Sequence, residues 1–280
     1  MVFLLLAILC SVSVAMLFTY ASRYRIPTFA LFAVNYVVAA GVSIAGSGES
    51  IHILAEYELL ALGVVLGILF VTCFWLFMQT VHTLGMVIPV TLMRLSAVLP
   101  TAGSIVFFAE IPTAAQLGGI ALAFLALPLA SREPITRASL RPLLRDGLGW
   151  GLILFFAYGA TDFLFKIQKE FLPVANPSDF LQVVFTTAMI ITIVAACREG
   201  ARLTPRVLIV GVLLGVVNML SAWFFILALR ELPGMVVFPI NGIGIIVLSA
   251  IAGMLIWRER LVPRNYLYLA CAAIALLLIA

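Results

Sequence analysis

The chain has 280 residues, 65% of them hydrophobic and only 10% charged, with a formal net charge of +4 and a mean hydropathy of +1.25. A soluble domain carries about 25% charged residues, so this much apolar surface cannot be hidden in one water-soluble core and its solvent is lipid. The positive charge is small and spread over loops, without a basic domain or an aromatic-basic face, which excludes a nucleic-acid-binding protein.

A membrane-spanning helix uses about 20 mostly apolar residues, within a range of roughly 17–25. Ten runs are read as spans: residues 2–20, 29–45, 59–79, 85–109, 114–130, 148–165, 180–197, 207–229, 234–257 and 266–280. The first run has no Lys or Arg before Arg23 and reads as a retained helix, not a cleaved signal peptide. The runs are continuous and too long for the alternating strands of a membrane barrel. Cys10, Cys73, Cys197 and Cys271 each fall inside an apolar run without CxxC spacing, so neither a metal site nor a disulfide framework is expected.

The longest polar stretch, SREPITRASLRPLLRDG at residues 131–147, follows the fifth run. It divides the chain into a first half at 1–131, a basic connecting loop at 132–147 and a second half at 148–280. The halves repeat one another. LGVVLGILFVTCFWLFMQTV at 62–81 aligns with VGVLLGVVNMLSAWFFILAL at 210–229. A shift of 148 positions brings Gly63 onto Gly211, Gly67 onto Gly215 and Trp75 onto Trp223; one further residue brings Glu110 onto Glu259. The repeat is offset by five spans, an odd number, so the second copy enters the membrane the opposite way. The expected fold is an all-α integral membrane protein of ten transmembrane helices, built as two inverted five-helix repeats.

Lys and Arg in short loops set orientation. With loops assigned alternately to two faces, twelve basic residues fall on one face, including Arg132, Arg137, Arg141 and Arg145, and three on the other, Lys166, Lys169 and Arg230. The basic face, with the 132–147 loop, is expected to be cytoplasmic in a cell (inner) membrane, placing both termini outside.

The order of motifs is also informative. WFFILALRELPG at 223–234, FPINGIGIIVLSAIAGMLIWRER at 238–260 and AAIALLLIA at 272–280 are echoed by IPVTLMRLSAVLPTAGSIVFFAE at 88–110 and QLGGIALAFLALPLA at 116–130. This pattern resembles the drug/metabolite transporter superfamily and, within it, the ten-helix EamA-like group. The resemblance implies a secondary transporter that works by alternating access, with a substrate path between two inverted halves lined chiefly by spans 1, 3, 4, 6, 8 and 9. It also implies export driven by a proton gradient. Many members of the group are described with cytoplasmic termini; the charge distribution here implies the reverse.

Arg94 is the outlier among the polar residues, a guanidinium near the middle of the fourth span. An intramembrane Arg costs about 2.5–3.5 kcal/mol on insertion scales and is a functional candidate by default. Its planar fork of donors suits a carboxylate or phosphate. Thr91 and Thr101 lie three residues before and seven after it, on the same helical face. Arg94 either holds the anionic group of a substrate or forms a structural ion pair, with Asp162 the expected partner. Asp162 in turn either pairs with Lys166 one helical turn on or takes up and releases the coupling proton. Asn218, Gln79 and Asn35 are read as helix–helix glue or pocket lining, and Trp75 and Trp223 as core packing or cavity lining. Pro89 and Pro239 occupy matching positions in the fourth and ninth spans and are read as paired kinks, the sequence pointer to a transporter's site; Asn241 lies two residues after Pro239. The glycine pairs Gly63/Gly67 and Gly211/Gly215 are close-packing motifs, within one chain or at a homodimer face. Glu110 and Glu259 are expected to pair with loop arginines.

No nucleotide-binding loop, HExxH or DxxD sequence is present. The expected function is transport of a small metabolite, amino-acid-like or organic-acid-like, with the lipid bilayer as surroundings, no enzymatic activity, no cofactor and no metal, by a monomer or homodimer. The alternative is an intramembrane enzyme or a protein that handles lipids or nucleotide sugars.

Overall fold

The computed structural model describes residues 1–47, 57–84, 87–130, 148–172, 176–257 and 263–279. Among them are eleven helices and no strands: α1 (Val2–Arg23), α2 (Thr28–Gly46), α3 (Tyr57–Leu84), α4 (Val87–Leu95), α5 (Val98–Phe107), α6 (Ala114–Ala130), α7 (Leu148–Phe171), α8 (Pro177–Arg198), α9 (Pro205–Glu231), α10 (Gly234–Trp257) and α11 (Pro263–Ile279). Each predicted run falls on one of these helices except the fourth, which is split between α4 and α5. The basic loop at 132–147, Gly85 and Glu259 lie outside the described residues.

Eight segments are long and apolar enough to cross a membrane: α1, α2, Tyr57–Val81 of α3, Ile88–Phe107 across α4 and α5, α7, α8, α9, and Gly234–Ile256 of α10. Helices α6 and α11 are apolar but shorter, at 17 residues each. Large apolar side chains such as Leu5, Leu125, Ile209, Leu255 and Leu277 point outward, a surface that lipid accepts and water does not. Hydroxyls inside the spans bond back to carbonyls one turn earlier, Ser43 to Ala39, Thr80 to Leu76 and Thr192 to Ala188, which satisfies them without a solvent partner. The protein is an all-α, multi-pass membrane protein.

The chain forms two compact units, one from residues 1–71 and 167–231, the other from 72–166 and 232–280. Each unit draws on both halves of the sequence.

In the first unit α1 runs antiparallel to α9. Phe3 stacks on Phe224 with ring centres 6.3 Å apart, Ser11 and Ser221 share a hydrogen bond of 2.7 Å, and the terminal amino group of Met1 lies 3.5 Å from Glu231. Helix α2 is antiparallel to α8 and parallel to α9, and the first part of α3 is parallel to α8. Glycines set these approaches. A β-carbon at Gly63 would stand 2.8 Å from Val183 Cβ, and one at Gly67 would stand 2.5 Å from the Val184 carbonyl oxygen and 2.7 Å from Thr187 Cβ. A β-carbon at Gly211 would stand 2.7 Å from Val34 Cβ, and one at Gly215 would stand 2.5 Å from the Asn35 carbonyl oxygen and 2.7 Å from Val38 Cβ. Val34 and Val183, Asn35 and Val184, and Val38 and Thr187 are each 149 positions apart. The seat of α3 on α8 is thus reproduced, residue for residue, by the seat of α9 on α2. Both glycine pairs pack within one chain, each against a helix from the other sequence half.

In the second unit α6 runs antiparallel to α11. Gln116 donates to the Ile279 carbonyl at 3.3 Å, Asn265 donates to the Leu129 carbonyl at 3.1 Å, and a β-carbon at Gly119 would stand 2.8 Å from side-chain carbons of Leu278 and Ile279. Helix α5 is antiparallel to α10 and parallel to α7, and the second part of α3 is antiparallel to α7.

Candidate functional site

The site is built on a broken helix in the second unit. Helix α4 stops at Leu95, Ser96 and Ala97 form a turn, and α5 begins at Val98. The cause is Pro100. It has no N–H to give the carbonyl of Ser96 four residues earlier, and its ring crowds that carbonyl. The Ser96 carbonyl accepts from Leu99 instead, at 2.9 Å, and the Ser96 hydroxyl bonds to the Met93 carbonyl at 2.6 Å. Pro89, read from the sequence as a kink, lies within α4, ahead of the interruption at Ser96–Ala97. Pro239 lies inside α10, which continues through it.

Arg94 sits in the last turn of α4, next to the break. It is densely surrounded by protein yet retains some accessible surface. Two contacts seat α7 against the break. Gly159 lies so near Leu99 and the Ser96 carbonyl that a β-carbon would press on both, and a β-carbon at Gly103 would stand 2.5 Å from the Phe163 ring. This docking brings Tyr158 and Asp162, one turn apart on one face of α7, into electrostatic reach of Arg94, together with Tyr268 of α11. Arg94 and Asp162 therefore lie within electrostatic range of one another. No direct salt bridge joins the two, both of which are among the described residues. Tyr268 is only 2% exposed, and its hydroxyl has no hydrogen-bond partner among the described residues.

Lys166 does not pair with Asp162. Its ammonium contacts Glu110 at 2.5 Å, and its side chain is fully buried beside the Phe108 ring, 5.2 Å from the ring centre. Glu110 does not reach for a loop arginine. Its two oxygens accept from the backbone N–H groups of Gly234 at 2.8 Å and Met235 at 2.7 Å, capping the N-terminus of α10 where the helix dipole favours a negative charge. That arrangement offers a buried ammonium a fixed carboxylate, which the flexible i, i+4 alternative does not.

The other expected site residues divide between the units. Thr91, Gln79, Trp75 and Asn241 belong to the second. Trp75 is exposed and meets Trp150 edge-on at 5.9 Å. The side-chain oxygen of Asn241 is buried without a partner among the described residues. Asn218 and Trp223 belong to the first unit. Asn218 donates to Asn35 at 3.4 Å, which makes it glue between α9 and α2, and Trp223 packs edge-on to Phe224 at 5.3 Å. Tyr158 and Tyr268 were missed. Tyr158 carries a signal in its spacing from Asp162, but nothing in the sequence around Tyr268 ties it to the fourth span. Among the described residues no three His, Cys, Asp or Glu side chains gather at metal-ligating range.

No protein-family model matches this chain. It is similar to an uncharacterized protein of Haemophilus influenzae, 29% identical over 272 residues that cover 94% of this chain and 92% of that one. Its fold is that of a solved crystal structure aligned over 99% of this chain and 94% of the other, with a TM-score of 0.77 and 11% sequence identity.

Proposed function

We infer that this chain is a secondary transporter of the drug/metabolite type, moving small metabolites that carry a carboxylate, amino acids or organic acids, by alternating access. The observation that carries the reading is Arg94 in a membrane-spanning segment, within electrostatic reach of Tyr158 and Asp162 in another span and of Tyr268 on the shorter apolar helix α11. Charges at that depth are costly and mark substrate or ion paths. A permanently charged planar fork beside a carboxylate and phenol hydroxyls suits an anionic group at one end of a polar solute. In this reading Asp162 exchanges the coupling proton, and the flux is export driven by the proton gradient.

The frame of ten spans in two inverted repeats is supported by the reciprocal glycine seats of α3 on α8 and α9 on α2. It is also supported by helix directions. The packed pairs whose directions are given above run parallel or antiparallel as strict alternation of ten crossings requires, with α6 and α11 at the short end of the spanning range. In this reading the chain lies in the cell membrane with its basic loops, 132–147 among them, on the cytoplasmic side.

The test is counterflow into proteoliposomes loaded with a panel of amino acids, dicarboxylates, sugars and nucleosides. Saturable, protein-dependent flux of a carboxylate solute that responds to an imposed pH gradient is the expected result. Flux no greater than in empty liposomes across the whole panel counts against the reading.

A further inference from the structure

Transport through the Arg94 region leaves one constellation of the second unit unused, at the first turn of α10. Glu110 lies just past α5, where Ala109 turns the chain with φ of 51°. Its Oε1 accepts from both Gly234 N–H, at 2.8 Å, and the Lys166 ammonium, at 2.5 Å; its Oε2 accepts from Met235 N–H at 2.7 Å. Gly234 rests on Ser104 so closely that a β-carbon would collide with the hydroxyl. The turn is thus clamped at its start. Its other end lacks one helical bond. Pro239 supplies no N–H to the Met235 carbonyl, and at Gly242, beyond it, a β-carbon would meet nothing within 4 Å. Clamp and hinge stand in one helix, with the unpartnered oxygen of Asn241 immediately after the hinge.

We propose that Glu110 and Lys166 form a releasable latch on the first turn of α10, and that this turn swings about Pro239 when the latch opens. Lys166 is the releasing element. Glu110 still caps the helix when the ammonium leaves, so the turn loosens without unfolding. A buried ion pair adds little net stability but fixes one arrangement over others, which is the property a latch requires. The pair positions α10; in the transport cycle it holds the hinge, and with it Asn241, in a single setting. The inference does not depend on what the chain carries.

Hydrogen–deuterium exchange of the full-length chain in lipid nanodiscs tests this without a substrate. Lys166→Met should speed exchange of the amides at 234–238 about tenfold, Lys166→Arg should keep them within about threefold of wild type, and the amides at 245–252 should not change. In a Pro239→Ala background the regained N–H ties the first turn to the rest of α10, and the effect of Lys166→Met should fall below about threefold. Equal speeding in both backgrounds, loosening along all of α10, or no change overturns the latch in favour of a static cap. If Lys166→Met does not fold, Lys166→Gln, which removes the charge but keeps a donor and leaves the Glu110 cap untouched, gives the same comparison. Loss of the latch leaves proteoliposome flux as a separate question, and absence of flux leaves the exchange pattern standing.

Discussion

Gly67 meets the carbonyl of Val184 so closely that a β-carbon there would stand 2.5 Å from its oxygen, and Gly215 repeats that relationship with the carbonyl of Asn35 at the same 2.5 Å. Two backbones touch at each place, so neither neighbour can yield by rotating a side chain.

Gly67→Ala and Gly215→Ala should each destabilise the protein by about 1–3 kcal/mol through overpacking. Gly118→Ala, where a β-carbon meets nothing within 4 Å, should be neutral or stabilise by up to about 1 kcal/mol, the helix-propensity gain. Thermal unfolding in detergent reads all three. Equal melting temperatures for Gly67→Ala and Gly118→Ala would remove the close-packing account of the repeat.

Arg94→Gln and Asp162→Asn each leave the opposite charge uncompensated within the span. The double variant should be less destabilised than the sum of the singles, with a coupling of about 0.5–3 kcal/mol. Strict additivity in melting experiments would show that the two charges do not sense each other.

Pro100→Ala restores a donor for the Ser96 carbonyl and should join α4 and α5 into one helix. Stability should hold or rise. The last turn of α4, and with it Arg94, should shift, so any transport measured for wild type should fall about tenfold, the scale of a misplaced binding group. Wild-type transport in this variant would dissociate the helix break from function.

These residues show how far the sequence reaches. Arg94 was legible because a lone guanidinium in an apolar run has few explanations. The close-packing glycines were legible because spacing and repetition coincide. The break at Ser96–Ala97 was not legible because the repeat draws the eye to the matched prolines Pro89 and Pro239, whereas Pro100, whose missing N–H falls opposite the Ser96 carbonyl, has no proline counterpart in the second half. The partner of Lys166 was missed because Glu110 is 56 positions away while Asp162 is one turn away. The Tyr268 hydroxyl was missed because its relation to Arg94 arises from the packing of α11, which no local pattern records.

A cysteine introduced within residues 131–147, in a background lacking Cys10, Cys73, Cys197 and Cys271, should resist a membrane-impermeant thiol reagent in intact cells and react after permeabilisation. Ready labelling in intact cells would reverse the orientation taken from the basic loops.

The central claim is that Arg94 holds the anionic group of a transported solute, and its most direct measurement is counterflow of one carboxylate solute in proteoliposomes carrying wild type, Arg94→Lys or Arg94→Ala at matched protein content. The expected result is saturable wild-type flux, partial flux with Lys, and a loss of at least about tenfold with Ala, the scale of one charge-assisted contact. Equal flux in wild type and Arg94→Ala would contradict it.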